Sequence, residues 1–171
     1  MVTSARAVSL YFPPAQLGRI SAFFAAEVAR GDYPYINFDE ARRWHQRIYR
    51  DRRMDVWLIS WLPTQGTQLH DHGGSSGAYT VLTGELTESV ARPVRGRIGI
   101  GDRVRAAGAT VCFGSRYVHD VRNQGTEPAV SVHVYSAPLS SMTYYDVADG
   151  VLTELLSIRT DDPEVELEAA S

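Results

Sequence analysis

From Asp55 to Ser157 the chain is written almost entirely in short β-forming runs broken by turn residues, and that punctuation limits what it can fold into. The runs Asp55–Trp61, Gly77–Leu82, Leu86–Val94, Ile98–Val104, Thr110–Phe113, Val118–Arg122 and Ala129–Tyr135 are rich in β-branched and aromatic residues. Clusters such as Leu62-Pro63-Thr64-Gln65-Gly66 and Thr83-Gly84 close them. Asp149-Gly150 separates Tyr144–Val147 from Val151–Ser157 and reads as the turn of a last hairpin. Many short strands with turn signals between them predict an all-β sandwich or closed barrel.

The N-terminal part has a different texture. Pro13-Pro14 followed by Leu17, Ile20, Phe23, Phe24 and Val28 predicts a helix that stops at Gly31. Ala41, Trp44 and Ile48 recur at three to four residues and predict a second helix over about Asp39–Tyr49. The expected layout is therefore one domain of 171 residues. Residues 1–50 form a mainly helical annex packed outside, residues 51–160 the β-barrel, and residues 161–171 an acidic, frayed tail.

Composition removes several function classes. A net charge of −3 offers no basic field for nucleic acid or an anionic membrane. All 17 basic residues are Arg, so neither a Schiff-base lysine nor a P-loop lysine exists. One cysteine, Cys112, rules out an intrachain disulfide or a Cys-rich metal site and suits a reducing compartment. Cys112 itself is expected to be a buried bystander. The apolar run Ala7 to Phe12 is too short for a signal peptide, and no run nears the roughly 18 residues of a membrane span. A cytoplasmic protein is the expectation.

The chemistry sits in the histidines, of which there are five: His45, His70, His72, His119 and His133. In an extended segment, His70 and His72 leave the same face with Cα atoms about 6.6 Å apart. Two imidazoles so placed can reach one ion at about 2.1 Å. Asp71 points the other way. His119 supplies a third imidazole from a remote strand, and a barrel brings two such strands over one ion. A second pattern lies in Ala129–Ser136, where Ser131, His133 and Tyr135 share one face and Val130, Val132 and Val134 the other. A polar row of this kind either faces solvent or forms a hydrogen-bonded relay, because burying it unpaired is costly.

His70-Asp71-His72 with Gly66 and Gly84, and Gly108, Gly114, His119 and Asn123 downstream, resemble the two metal-binding motifs of the cupins. The usual Glu of the first motif is replaced by Gly77, and the Pro-x-Gly of the second by Gly114-Ser115-Arg116. Trp61, the two His motifs and Glu127-Pro128-Ala129-Val130-Ser131-Val132-His133-Val134-Tyr135-Ser136-Ala137-Pro138 together resemble the cysteine dioxygenase family over roughly Trp44 to Asp146. The resemblance implies a cupin barrel, with N-terminal helices outside, holding mononuclear non-haem Fe(2+) through His70, His72 and His119. It implies Ser131, His133 and Tyr135 as an outer relay, and addition of both atoms of O2 to a small thiol, most directly L-cysteine. It also implies a free Tyr135 phenol, since the position matching the cysteine that cross-links this Tyr in animal relatives is Gly77.

The family carries an Arg ahead of the first His that binds the substrate carboxylate. Arg47 is the best match and Arg50 the next. Gln46 adjoins Arg47, and relatives acting on 3-mercaptopropionate carry Gln at the anchor position. His45 stands in place of a second carboxylate-contacting Tyr, a role Tyr49 could take from another direction. Other readings remain open: a dioxygenase for another small thiol such as 3-mercaptopropionate, a zinc hydrolase or lyase, and a non-catalytic metal-binding sensor. The expected partners are a small thiol and O2, with a monomer or weak homo-oligomer.

Overall fold

The computed structural model describes residues 11–33 and 35–163. One helix, α1 (Pro14–Ala29), precedes ten strands. These are β1 (His45–Arg50), β2 (Asp55–Trp61), β3 (Ser76–Thr83), β4 (Glu85–Val94), β5 (Arg97–Ala106), β6 (Thr110–Phe113), β7 (His119–Arg122), β8 (Ala129–Ser136), β9 (Met142–Ala148) and β10 (Val151–Ile158). One sheet has the order β1-β2-β8-β3-β6. Facing it are β5-β4-β7 and β10-β9. His70 stitches these two pieces together, bridging His119 on one side and Tyr144 on the other.

β2 and β8 are buried on both faces, which explains their nearly unbroken apolar runs. Val56 and Leu58 of β2, and Val130, Val132 and Val134 of β8, pack under α1 with Leu17, Phe24, Ala25 and Val28. The opposite face turns Trp57, Ile59, Trp61 and Tyr135 into the barrel, against Tyr79, Leu86, Phe113 and Tyr144. Pro14 at the first turn starts α1 with a preset φ, and Gly31 follows its end at φ 85°. Asp149 and Gly150 both have positive φ, the backbone of a tight turn between β9 and β10.

The expected second helix over Asp39–Tyr49 is instead strand β1, paired with β2 from His45↔Ile59 to Arg50↔Asp55. Trp44 and Ile48 do share a buried side, against the α1 core. A separation of four residues returns to the same face in a helix and in a strand alike, so that pair could not tell the two apart. The outer layer is thus one helix. Cys112 is exposed, not buried: β6 is an edge strand turning Val111 and Phe113 inward and Thr110 and Cys112 outward. Asp161 to Pro163 fold back on the barrel, while residues 164–171 of the expected tail lie outside the described residues. Among the described residues no helix is long and apolar enough to cross a membrane.

Asp55 opens β2 with no exposed surface, accepting from the Leu139 backbone N–H at 3.3 Å. Burial pushes its carboxyl up from 3.8 to about 6. The folded protein therefore holds this proton more tightly than the unfolded chain, and stability falls as pH rises through about 4 to 6. Asp55→Asn is expected to match the parent near pH 4 and exceed it above pH 7, by up to about 3 kcal/mol. Urea unfolding at both pH values measures this; equal stabilities at pH 7 would refute the assignment.

Candidate metal centre

His70, His72 and His119 lie together inside the barrel, their candidate ligand nitrogens all within 4.8 Å of one another. Only His119 comes from a regular strand; His70 and His72 occupy the segment between β2 and β3. Backbone pairing compensates. The His70 N–H donates to His119 O at 2.9 Å, and the His119 N–H returns to His70 O at 3.1 Å. Asp71 turns away as expected, taking the Tyr145 hydroxyl at 2.8 Å. Gly73, at φ 58°, lies so close to Ser141 that a Cβ there would collide with it.

Each ring has a tautomer suited to a ligand. His70 Nδ1 is 2.7 Å from Gln68 O and must be the protonated nitrogen, since a carbonyl only accepts. His119 Nδ1 lies 3.0 Å from the Glu88 carboxylate. Both rings thus keep Nε2 for an ion. His72 Nε2 is buried without a hydrogen-bond partner, a costly state in a protein interior that an ion would relieve. Burial, with help from neighbouring positive charge, holds His70 and His72 well below ordinary histidine pKa values, so both are neutral donors. The three residues fit a divalent metal bound through three imidazoles with further positions left open.

Glu88 is the residue that sequence reasoning missed. It is fully buried on β4 between the inward-facing Leu86 and Val90. An acid in that row was the available signal. Its Oε2 receives Arg105 at 2.6 and 3.0 Å, while Oε1 receives Tyr117 at 3.2 Å and His119. Burial alone would raise this carboxyl, but His119 and Arg105 outweigh it and hold it ionised. A carboxylate bound to a ligand imidazole fixes the ring and raises its basicity.

Ser131, His133 and Tyr135 are all buried on the barrel side of β8 and form a connected chain with Trp61. The Trp61 indole N–H donates to Ser131 Oγ at 2.8 Å, and Ser131 Oγ lies 2.9 Å from His133 Nε2. Indole only donates, so Ser131 Oγ accepts from Trp61, and a hydroxyl that both donates and accepts can bond either tautomer of His133. Burial lowers His133 to about 3, leaving it neutral. Nδ1 faces the Tyr135 oxygen at 3.4 Å. Burial keeps the phenol hydrogen on its oxygen by raising the Tyr135 pKa. Tyr135 also packs on the His72 ring at 5.0 Å, beside the histidine trio.

Residues 19–148 match the family described as cysteine dioxygenase type I. The chain belongs to that family. It is 28% identical over 124 residues to cysteine dioxygenase type 1 of Danio rerio and 27% identical over 123 residues to that of Homo sapiens. Each alignment covers 68% of this chain and spans 62% of the relative's length. A protein with a double-stranded β-helix domain from Klebsiella pneumoniae has the same fold, with a TM-score of 0.53 at 18% identity over 64% of this chain and 84% of that one. The architecture is the cupin barrel.

The arginines around β1 differ in what they reach. Arg47 and Arg50 both donate to Asp161 Oδ2, at 2.9 and 2.7 Å, in an exposed setting. Neither lines the cavity beside the histidines. Arg43 does, with Trp61, Thr67, His70, His119, His133 and Tyr135, and its guanidinium stacks over Trp61 at 4.8 Å. Its position fell inside the wrongly expected helix, which hid it. Gly77 sits opposite Tyr135, and a Cβ there would lie 2.5 Å from the Phe113 ring. Phe113 thereby takes the space of the absent motif Glu or cross-linking cysteine, and stacks on His72 at 4.8 Å.

His119→Ala should abolish tight Co(II) or Zn(II) binding by the purified apoprotein while leaving a folded barrel. Glu88→Gln should weaken it by about 10- to 100-fold in chelator competition. Unchanged affinity in Glu88→Gln would remove Glu88 from the site.

Proposed function

We propose that the chain is a thiol dioxygenase, converting R–SH and O2 to the sulfinic acid R–SO2H, with His70, His72 and His119 holding mononuclear Fe(2+). The observation that carries the reading is the pairing of a three-imidazole group with a buried, hydrogen-bonded relay ending at Tyr135. Bound iron would supply redox activation of O2 and coordination of the thiolate. A zinc hydrolase also uses three imidazoles, but the Trp61–Ser131–His133–Tyr135 chain has no evident task there. A sensor has none either.

The residues divide the remaining work. Tyr135 offers its phenol to the cavity, positioned by His133, which Ser131 and Trp61 hold in turn. Arg43 presents a guanidinium to the same cavity and is the proposed partner of a substrate carboxylate. That role replaces the expectation for Arg47, whose guanidinium is engaged with Asp161 and stacked on Trp57. Apolar walls from Ile59, Val121 and Met142 exclude water.

L-cysteine is the first candidate substrate, since the matched relatives carry the name cysteine dioxygenase. Among the described residues, the cavity lining holds no acidic side chain that could pair with an ammonium group. That observation favours 3-mercaptopropionate as the second reading. The absence of a disulfide framework suits a cytoplasmic setting.

Oxygen uptake and sulfinate formation by Fe(2+)-loaded protein, with L-cysteine, 3-mercaptopropionate and cysteamine, test the reading. Uptake without sulfinate from any thiol would end it. Arg43→Ala is expected to raise KM for a carboxylate-bearing thiol about tenfold or more and to leave cysteamine nearly unchanged. Arg47→Ala giving that pattern instead would reassign the anchor. Tyr135→Phe should lower kcat about a hundredfold with little change in KM.

A further inference from the structure

The outward face of α1 is unlike an ordinary solvated helix surface. Seven of its residues are exposed, and four of these are Ala15, Ala22, Ala26 and Ala29. Phe23 is 58% exposed, although its neighbours Ile20 and Phe24 pack toward the core. Arg19 is the one exposed residue of the helix that carries a charge. A helix facing water is normally polar and charged along that side. Beside this face runs a groove of about 620 Å³, lined by Gln16, Arg19, Ile20, Phe23 and Phe24 of the helix and by Met54. Met54 stands between β1 and β2, so helix and barrel build the groove together.

The charges on this face have an order. Arg19, Phe23 and Glu27 stand four residues apart and share one stripe of the helix. Arg19 has no ion-pair partner among the described residues. Glu27 keeps about a fifth of its side-chain surface and holds Arg30 through Oε1, which leaves Oε2 for a second cation. The stripe therefore reads cation, aromatic, anion, with equal spacing on either side of Phe23. Turned end for end, it reads anion, aromatic, cation. It is complementary to itself. The alanines on its flank let two such helices approach closely.

We propose that α1 is the contact surface of a symmetric homodimer, in which two copies pair antiparallel about a twofold axis at Phe23. Each Arg19 then meets the partner's Glu27, the two Phe23 rings pack together, and each helix covers the other's groove. One patch meeting its own image is the arrangement a twofold dimer requires. A second copy is favoured over an unrelated protein because the charge and its complement lie on one face of one chain. A single helix per copy gives an interface at the small end of the specific range, so the expected Kd is on the order of 10–100 µM. The pairing is independent of the chemistry in the barrel, since α1 packs on the sheet face opposite the one that lines the interior.

Sedimentation velocity of the full chain from about 5 to 500 µM tests the dimer. The parent should pass from monomer to dimer across that range. Arg19→Glu and Glu27→Arg should each raise Kd about tenfold or more, by setting like charges opposite one another. The double variant exchanges the two ends of the stripe and should return Kd to within about threefold of the parent. Phe23→Gln should raise Kd at least about tenfold. Circular dichroism and Tm check that each variant keeps the fold; were Phe23→Gln to lose it, the charge swap decides alone. A parent that stays monomeric at 500 µM overturns the proposal, and Phe23-dependent binding of an apolar dye by that monomer would assign the groove to a different ligand. Single variants that dimerise like the parent would place the contact elsewhere. A double variant that fails to regain dimerisation would refute the antiparallel register.

Discussion

Two backbone hydrogen bonds, exchanged between His70 and His119, hold the rest of the site in place. They join a segment following β2 to a strand that begins 49 positions after His70. The same residue also bridges Tyr144 of β9, so the second wall of the barrel closes through His70. A metal ligand is thereby built into the seam of the fold. Displacing the seam would separate the imidazoles, and displacing the imidazoles would open the seam.

Around that seam the barrel interior carries an unusual amount of polar matter for its size. Glu88 has no exposed surface, yet both carboxylate oxygens are engaged by Arg105, Tyr117 and His119. Ser131 and His133 are satisfied by one another and by Trp61. Leaving any one of these groups unpaired would cost about 1–3 kcal/mol, so each network is stable only when complete. His72 Nε2 stands outside both networks, buried without a hydrogen-bond partner on a member of the trio. The contrast locates the place where an ion contributes to stability as well as chemistry.

The strand pattern was readable because period-two alternation and turn residues are local. Asp55–Trp61 and Thr110–Phe113 have the boundaries expected from the chain, and the Asp149-Gly150 hairpin forms where its dipeptide stands. Ser131, His133 and Tyr135 share a face for the same local reason. The misplaced helix over 39–49 came from a spacing common to both periods, and it concealed Arg43. Cys112 was misjudged because whether an outward face is covered depends on neighbours, and β6 lies at a sheet edge.

Side-chain type and order thus determined the β-rich class, the histidines able to serve as ligands and the polar face of β8. Those properties reside in the alternation of successive side chains and in the chemistry of imidazole, phenol and hydroxyl. Only the tertiary structure decided which guanidinium looks into the cavity, which acid holds His119, and that Asp161 and Asp162 fold back onto the side chains of β1. Each of these is a meeting of residues tens of positions apart, set by sheet register and by where a chain returns after ten strands. No local periodicity encodes such a meeting, because it is the closure of the barrel that creates the distance between the groups.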